Sequence, residues 1–194
     1  MLAAMNLAQS LRIQAHANAL ANHRLHTAMA ALAPEEFHAT RTSFFPSLAA
    51  TLNHILAVDK YYIGALHGDA DLPGRYEGFV AAADLTDLAA RQRRSDARLV
   101  VFCERLDDAA CVAEVAMDRG GGHIQRDLAA HVLAHLFMHQ THHRGQVHAM
   151  LAGTHIKPPQ LDEFLMPSDA SLRQQDMAAM GWTEGAVYGT ASRS

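Results

Sequence analysis

The sequence predicts an all-α protein built as one four-helix bundle. Three observations carry that expectation. Four long segments repeat apolar residues at helical spacing. Alanine is abundant throughout, while the 194 residues include only 6 prolines, and alanine is the best helix former as proline is the worst. Hydrophobic residues make up 49% of the chain, enough for one sizeable core. We therefore expect a single domain over residues 1–194, with its core at about 5–152 and a C-terminal extension at about 153–194.

The first helix is expected over 5–32, where Leu7, Leu11, Ala15, Leu20, Leu25 and Met29 form an apolar stripe that stops before Pro34. Its opening, "MLAAMNLAQSLRIQAHANALA", has the small-residue look of a secretory leader. Asn6 and Gln9 interrupt the apolar stretch, however, and no basic residue precedes it, so it reads as the first helix of the mature protein. The second helix is expected over 47–66, with Ser47 as N-cap and Leu48, Leu52, Ile55, Leu56, Tyr62 and Ile63 facing the core. "HGDADLPGRYEGF" then reads as a loop. The third helix is expected over 84–106, with "RQRRSDAR" as its solvated face. "CVAEVAMDRGGGHIQRD" changes texture: alternating Val112, Val115 and Met117 around a glycine turn predict a small β-hairpin near 111–126. The fourth helix is expected over 127–151, ending near Gly153 and before Pro158. From 158 to 194, proline, glycine, aspartate and serine predict a partly packed extension with a frayed end.

Composition narrows the function classes. The formal net charge is −4 with histidines neutral, so no basic surface invites nucleic acid. With 14 histidines, the charge climbs as pH falls through about 6.5. The two cysteines, Cys103 and Cys111, are too few for a disulfide framework. They fit a reducing compartment and are expected to pack as small hydrophobes, without binding metal. No run of about 20 apolar residues is present to span a membrane, and the expected location is the cytoplasm.

The candidate chemistry sits on the fourth helix, in "HLFMHQTHHRGQVHAML". Residues four apart on a helix are rotated by only about 40° and share a face, so two imidazoles at that spacing can close on one metal ion. His131/His135, His135/His139 and His139/His143 all satisfy it, with His142 on the flank. A zincin protease needs glutamate beside the first histidine, and "HQTHH" has Gln140 there. A di-iron bundle needs several inward carboxylates and two Glu-x-x-His motifs. Only Glu35 to His38 has that spacing, and the fourth helix holds no glutamate. The cysteines lack zinc-finger spacing. A mononuclear site needs a further ligand, and His54, set among Leu52, Ile55 and Leu56, is the candidate from the second helix.

"TLNHILAVDKYY" followed much later by "HLFMHQTHHRGQVHAML" resembles the DinB/YfiT-like superfamily of damage-inducible proteins. "NALANHRLHTAMAALAPEEF" and "RTSFFPSLAATLNH" resemble that family's first helix and its entry into the second, and "PPQLDEFL" its C-terminal region. The resemblance covers roughly residues 8–152. It implies an up-down-down-up four-helix bundle and one divalent metal ion, zinc, nickel or iron, bound by His54, His139 and His143. His135 and His142 then become neighbours of the site. An aromatic position that is often tryptophan falls on Tyr61 or Tyr62, and Met138 stands where asparagine is usual.

The activity this resemblance implies is a metal-dependent, thiol-dependent S-transferase. It would act on small electrophiles with a low-molecular-weight thiol as partner. Three protein ligands leave open positions on the metal, which suits catalysis. The rival expectation is a non-catalytic metal-binding stress-response or interaction protein, and a weaker one a metal-assisted hydrolase. Arg144 is read first as a surface ion-pair residue and second as a group that positions an anionic substrate. Alanine-rich helix faces make a homodimer the expected assembly, on base rates alone.

Overall fold

The Asn6 side chain accepts the N–H of Gln9 at 2.8 Å and starts the first helix, so α1 runs Leu7–Met29. In the computed structural model, residues 6–189 are described, and the expected start at residue 5 lies outside them. After α1 come α2 (Pro34–His38), α3 (Leu48–Leu66), α4 (Leu72–Glu77), α5 (Leu85–Glu104) and α6 (Asp108–Cys111). Strands β1 (Glu114–Asp118) and β2 (Ile124–Leu128) follow, then α7 (Ala129–Leu151), α8 (Gln174–Ala179) and α9 (Glu184–Tyr188). The protein is mostly helical, with one small antiparallel sheet among the described residues.

The four long helices, α1, α3, α5 and α7, are the four predicted segments. Ser47 caps α3 by accepting the N–H of Ala50, and Asp84 caps α5 by accepting that of Asp87. Helix α1 packs against α5 and α7, and α3 packs against the same two. The hairpin also forms where alternation predicted it. Val115 pairs with Asp127 and Met117 with Gln125, so Val115 and Met117 share one face and are buried. Its turn runs through Gly120, Gly121 and Gly122, all at positive φ, a conformation that a Cβ disfavours.

The core is not continuous. One apolar cluster joins the first half of α1 to the ends of α3 and α5 and the start of α7, through Leu11, Ile63, Leu99 and Leu133. A second joins the opposite halves, through Leu25, Leu52, Leu88 and Val147. Between the two, every long helix contributes buried polar residues: Asn18 and Asn22 of α1, Asp59 of α3, Gln92 and Asp96 of α5, Gln140 and Arg144 of α7. Gln92 donates to Asp59 at 2.6 Å and to Asp96 at 3.0 Å. Asn22 donates to both oxygens of Asp96, and Gln140 donates to Asp59. The guanidinium of Arg144 donates to Asn18, Asn22 and Gln140.

Three expectations are corrected here. "RQRRSDAR" is not wholly a solvated face, because Gln92, Ser95 and Asp96 point inward. Arg144 is not a surface ion-pair residue; it lies one turn after fully buried Gln140, on the side of α7 that meets α1. The segment read as a loop after α3 contains α4, capped by the Asp71 side chain.

The extension is packed more thoroughly than its composition suggests. Phe164, Met177 and Val187 close over Ala17, Leu20 and Ala21 of α1. Arg24 of α1 bonds Glu163 and Asp176 of the extension. Fully buried Arg173 is satisfied by Glu184 and by the carbonyls of Glu163 and Met166. The end of the extension, expected to fray, falls on residues outside those described. Replacing Phe164, 2% exposed, by alanine should lower stability by about 3–5 kcal/mol. Denaturant unfolding would measure this, and limited proteolysis should then cut the extension first.

A candidate metal centre of three histidines

The i, i+4 spacing on α7 places His139 and His143 on the side that faces α3, with ring centroids 4.5 Å apart. From α3, His54 meets them, 5.0 Å from His139 and 4.7 Å from His143. One ring nitrogen from each can be chosen so that all three lie within 4.8 Å of one another. The Nε2 atoms of His54 and His139 are 3.0 Å apart. Two nitrogens that each sit about 2.0–2.1 Å from one zinc ion are separated by roughly that distance.

The surroundings fit a cation. His139 Nδ1 is buried with no hydrogen-bond partner among the described residues, so no hydrogen bond at Nδ1 fixes the tautomer of that ring. A metal at Nε2 would fix it. His143 Nδ1 lies 2.8 Å from Oε1 of Gln146, and the Gln146 amide nitrogen lies 3.1 Å from His142 Nε2. With that amide orientation, Nδ1 of His143 carries the proton and its Nε2 lone pair is free to ligate. Burial and neighbouring imidazoles hold all three histidines neutral. The His139 pKa is pushed down to about 4, chiefly by burial, and those of His54 and His143 are also lowered by burial. Phe45 stacks on His54 at 4.3 Å and shields that side.

The other candidates fall outside this cluster. His131 and His135 are exposed, and the His135 ring is 6.3 Å from that of His139 and 5.0 Å from that of Tyr62. Exposed His142 bonds Gln146. Glu35 and His38 are likewise absent from it. Cys103 and Cys111 are free and buried, and burial pushes the Cys103 thiol up to about 12, far from a thiolate ligand. A cleft of about 400 Å³ opens beside the histidines, with His139 in its wall and Tyr61, Tyr62, Tyr76 and Arg119 around it. A larger cavity of about 670 Å³ between α1 and α5 contains none of the three histidines; ligand chemistry, not volume, locates the candidate site.

Sequence reasoning missed Gln146 and Phe45. Gln146 is three residues after His143, a helical neighbour, and that spacing was the available signal. Phe45 lies in the loop before α3, where no periodicity marks a contact. Gln146→Ala should weaken zinc binding about 10–100-fold, measured by competition with a chromogenic chelator.

The fold and the site thus define a helical protein with a three-imidazole cluster of metal-ligand geometry. The sequence matches the DinB family over residues 8–177, and the chain belongs to that family. The match runs past α7 into the packed extension. Among curated proteins, none matches the sequence.

Proposed function

We propose that this DinB-family protein is a metal-dependent enzyme, a thiol-dependent S-transferase acting on small electrophiles. The observation that carries this reading is the convergence of His54, His139 and His143, with His139 in the wall of an open cleft. A structural site would be closed by a fourth protein ligand, and no other His, Cys, Asp or Glu joins this cluster among the described residues. A divalent cation at this position, zinc, nickel or iron, lowers the pKa of a thiol that reaches it. His54, His139 and His143 would hold the ion, Gln146 would orient His143, and the cleft would take the electrophile. An up-down-down-up order of the long helices is part of the proposal. It is supported by the shared core of the C-terminal halves of α1 and α7 with the N-terminal halves of α3 and α5. We place the protein's work in the cytoplasm, on small molecules; no helix among the described residues is long and apolar enough to cross a membrane.

The test is a panel of electrophiles with and without a low-molecular-weight thiol, on zinc-loaded and metal-stripped protein. The expected outcome is thioether product only when thiol and metal are both present. Turnover without thiol would instead indicate hydrolysis, and no turnover under any condition would leave the non-catalytic metal-binding reading. A Cys103→Ser, Cys111→Ser double variant should keep its metal and its activity per folded molecule, because both cysteines are buried away from the cluster.

A further inference from the structure

Tyr61 and Tyr62 stand nearly perpendicular, at 86° with centroids 5.3 Å apart, and Tyr61 makes a similar 82° contact with Tyr76 at 5.9 Å. His135 closes on Tyr62 from α7. These rings line the cleft that His139 also lines. Such a wall favours flat, apolar bodies through offset and edge-to-face contacts.

The guanidinium of the cleft is that of Arg119, at the turn of the hairpin. Its guanidinium lies over Tyr61 at 5.0 Å and over Tyr62 at 5.3 Å. Nε donates to Gln125 at 3.1 Å, and Nη2 donates to the Tyr62 hydroxyl at 3.2 Å. No carboxylate accepts from the guanidinium among the described residues. An exposed arginine normally loses much side-chain freedom when it binds a ligand. Here two rings and two hydrogen bonds have already restricted that freedom, and the guanidinium still lacks an anionic acceptor. Planar donors match carboxylates.

Two acids share the cleft, and neither neutralises Arg119. The Asp118 carboxylate accepts the N–H of Gly120 at 2.8 Å within the turn. Glu77 is exposed and forms no salt bridge among the described residues. Other exposed arginines do form ion pairs: Arg75 and Arg98 both meet Asp69. Arg119 has no acidic partner of this kind among the described residues.

We propose that this cleft is a subsite for an aromatic or otherwise unsaturated carboxylate, with Arg119 taking the carboxylate and Tyr61, Tyr62 and Tyr76 taking the planar body. The inference rests on the enzymatic reading above and deepens it, because it names the class of electrophile: the unsaturated acid would lie in the wall that ends at His139.

Benzoate, benzamide and benzylamine separate the possibilities, titrated by NMR into zinc-loaded protein of measured metal content. Benzoate should perturb the hairpin-turn resonances and bind at least tenfold more tightly than neutral benzamide or cationic benzylamine. Arg119→Met should weaken benzoate at least tenfold, and Arg119→Lys should recover part of that loss. Arg119 is exposed and outside the core, so both variants are expected to fold. A preference for benzylamine would overturn the proposal, as would an Arg119→Met variant with benzoate affinity within twofold of the original. Benzoate binding that survives Arg119→Met but vanishes in His139→Ala would also overturn it, since the carboxylate would then be on the metal. Failure of the enzymatic reading shows separately, as protein that holds no zinc or turns over no electrophile.

Discussion

His139→Ala is expected to weaken divalent-metal binding by more than about 100-fold, beyond the 10–100-fold cost of losing a partner that only orients a ligand. This residue touches both of the other ligands: its Nε2 meets that of His54, and its ring contacts that of His143. Its loss leaves only two imidazoles, one from each helix, to hold the ion. His54→Ala and His143→Ala should behave alike. His135→Ala should retain metal, because its ring lies 6.3 Å from that of His139 and faces Tyr62. Thermal unfolding provides the readout. A ligand at about 1,000 times its Kd stabilises the native state by about 4 kcal/mol. Zinc should therefore raise the Tm of the wild-type protein and the His135 variant, and leave the three ligand variants unmoved.

Arg144→Met is expected to destabilise the protein by about 3–5 kcal/mol, the range for removing one partner from a buried charge network. At an m-value of about 2 kcal/mol/M, that is a fall of roughly 2 M in the urea midpoint. The cost arises because Asp59 and Asp96 are buried in the same layer, with Arg144 as the nearby cation. Burial raises the pKa of both carboxyls, Asp96 to about 7, and Arg144 acts against that rise. The sign of the pH dependence follows. A carboxyl whose folded pKa is raised contributes stability at low pH that is lost as pH rises towards that pKa. Without Arg144 the rise is larger, so the penalty should be greater at pH 8 than at pH 5.5, which lies below the Asp96 value. Urea midpoints at the two pH values check this. His26 runs the other way in the wild-type protein. Burial and Arg144 hold its pKa down to about 4, below the ordinary 6.5, so its contribution is present above about pH 6.5 and is lost as pH falls towards 4.

The long helices and the hairpin were legible in the sequence because their signals are local. A 3.6-residue apolar period over some twenty residues, or alternation around three glycines, needs no knowledge of the rest of the chain. His139 and His143 were legible as a pair for the same reason, although spacing alone did not choose them over His131/His135 or His135/His139. His54 is different. A histidine among leucines and isoleucine is a candidate because it wants a partner, but it carries no mark of what lies opposite, and its resemblance to a known motif is what joined it to His139 and His143.

The polar layer went unread because burial is a tertiary property. Gln92 and Asp96 sit inside a run of four arginines that are mostly solvated, and that run set the local impression. Asn18 and Asn22 lie in an alanine-rich helix where polar residues look like surface. Yet Asn18/Asn22, Gln92/Asp96 and Gln140/Arg144 are all i, i+4 pairs, the same spacing that exposed the histidines. Three such pairs, each between the apolar halves of its helix, mark a shared polar level once they are aligned. The extension hid for a related reason: Arg173 reads as solvated, but a guanidinium with a carboxylate and two carbonyls around it can be fully buried.

The central claim is that one divalent ion is bound by three imidazoles, one from α3 and two from α7. The most direct measurement is the anomalous difference map of a zinc-soaked crystal, recorded on both sides of the metal edge. The predicted result is one strong peak per chain, about 2.0–2.1 Å from a nitrogen of each of His54, His139 and His143, with any remaining position filled by solvent or a small ligand. A peak bound instead by His131 and His135, a peak coordinated by carboxylates or cysteine sulfur, or no peak at this cluster in zinc-saturated protein would contradict it.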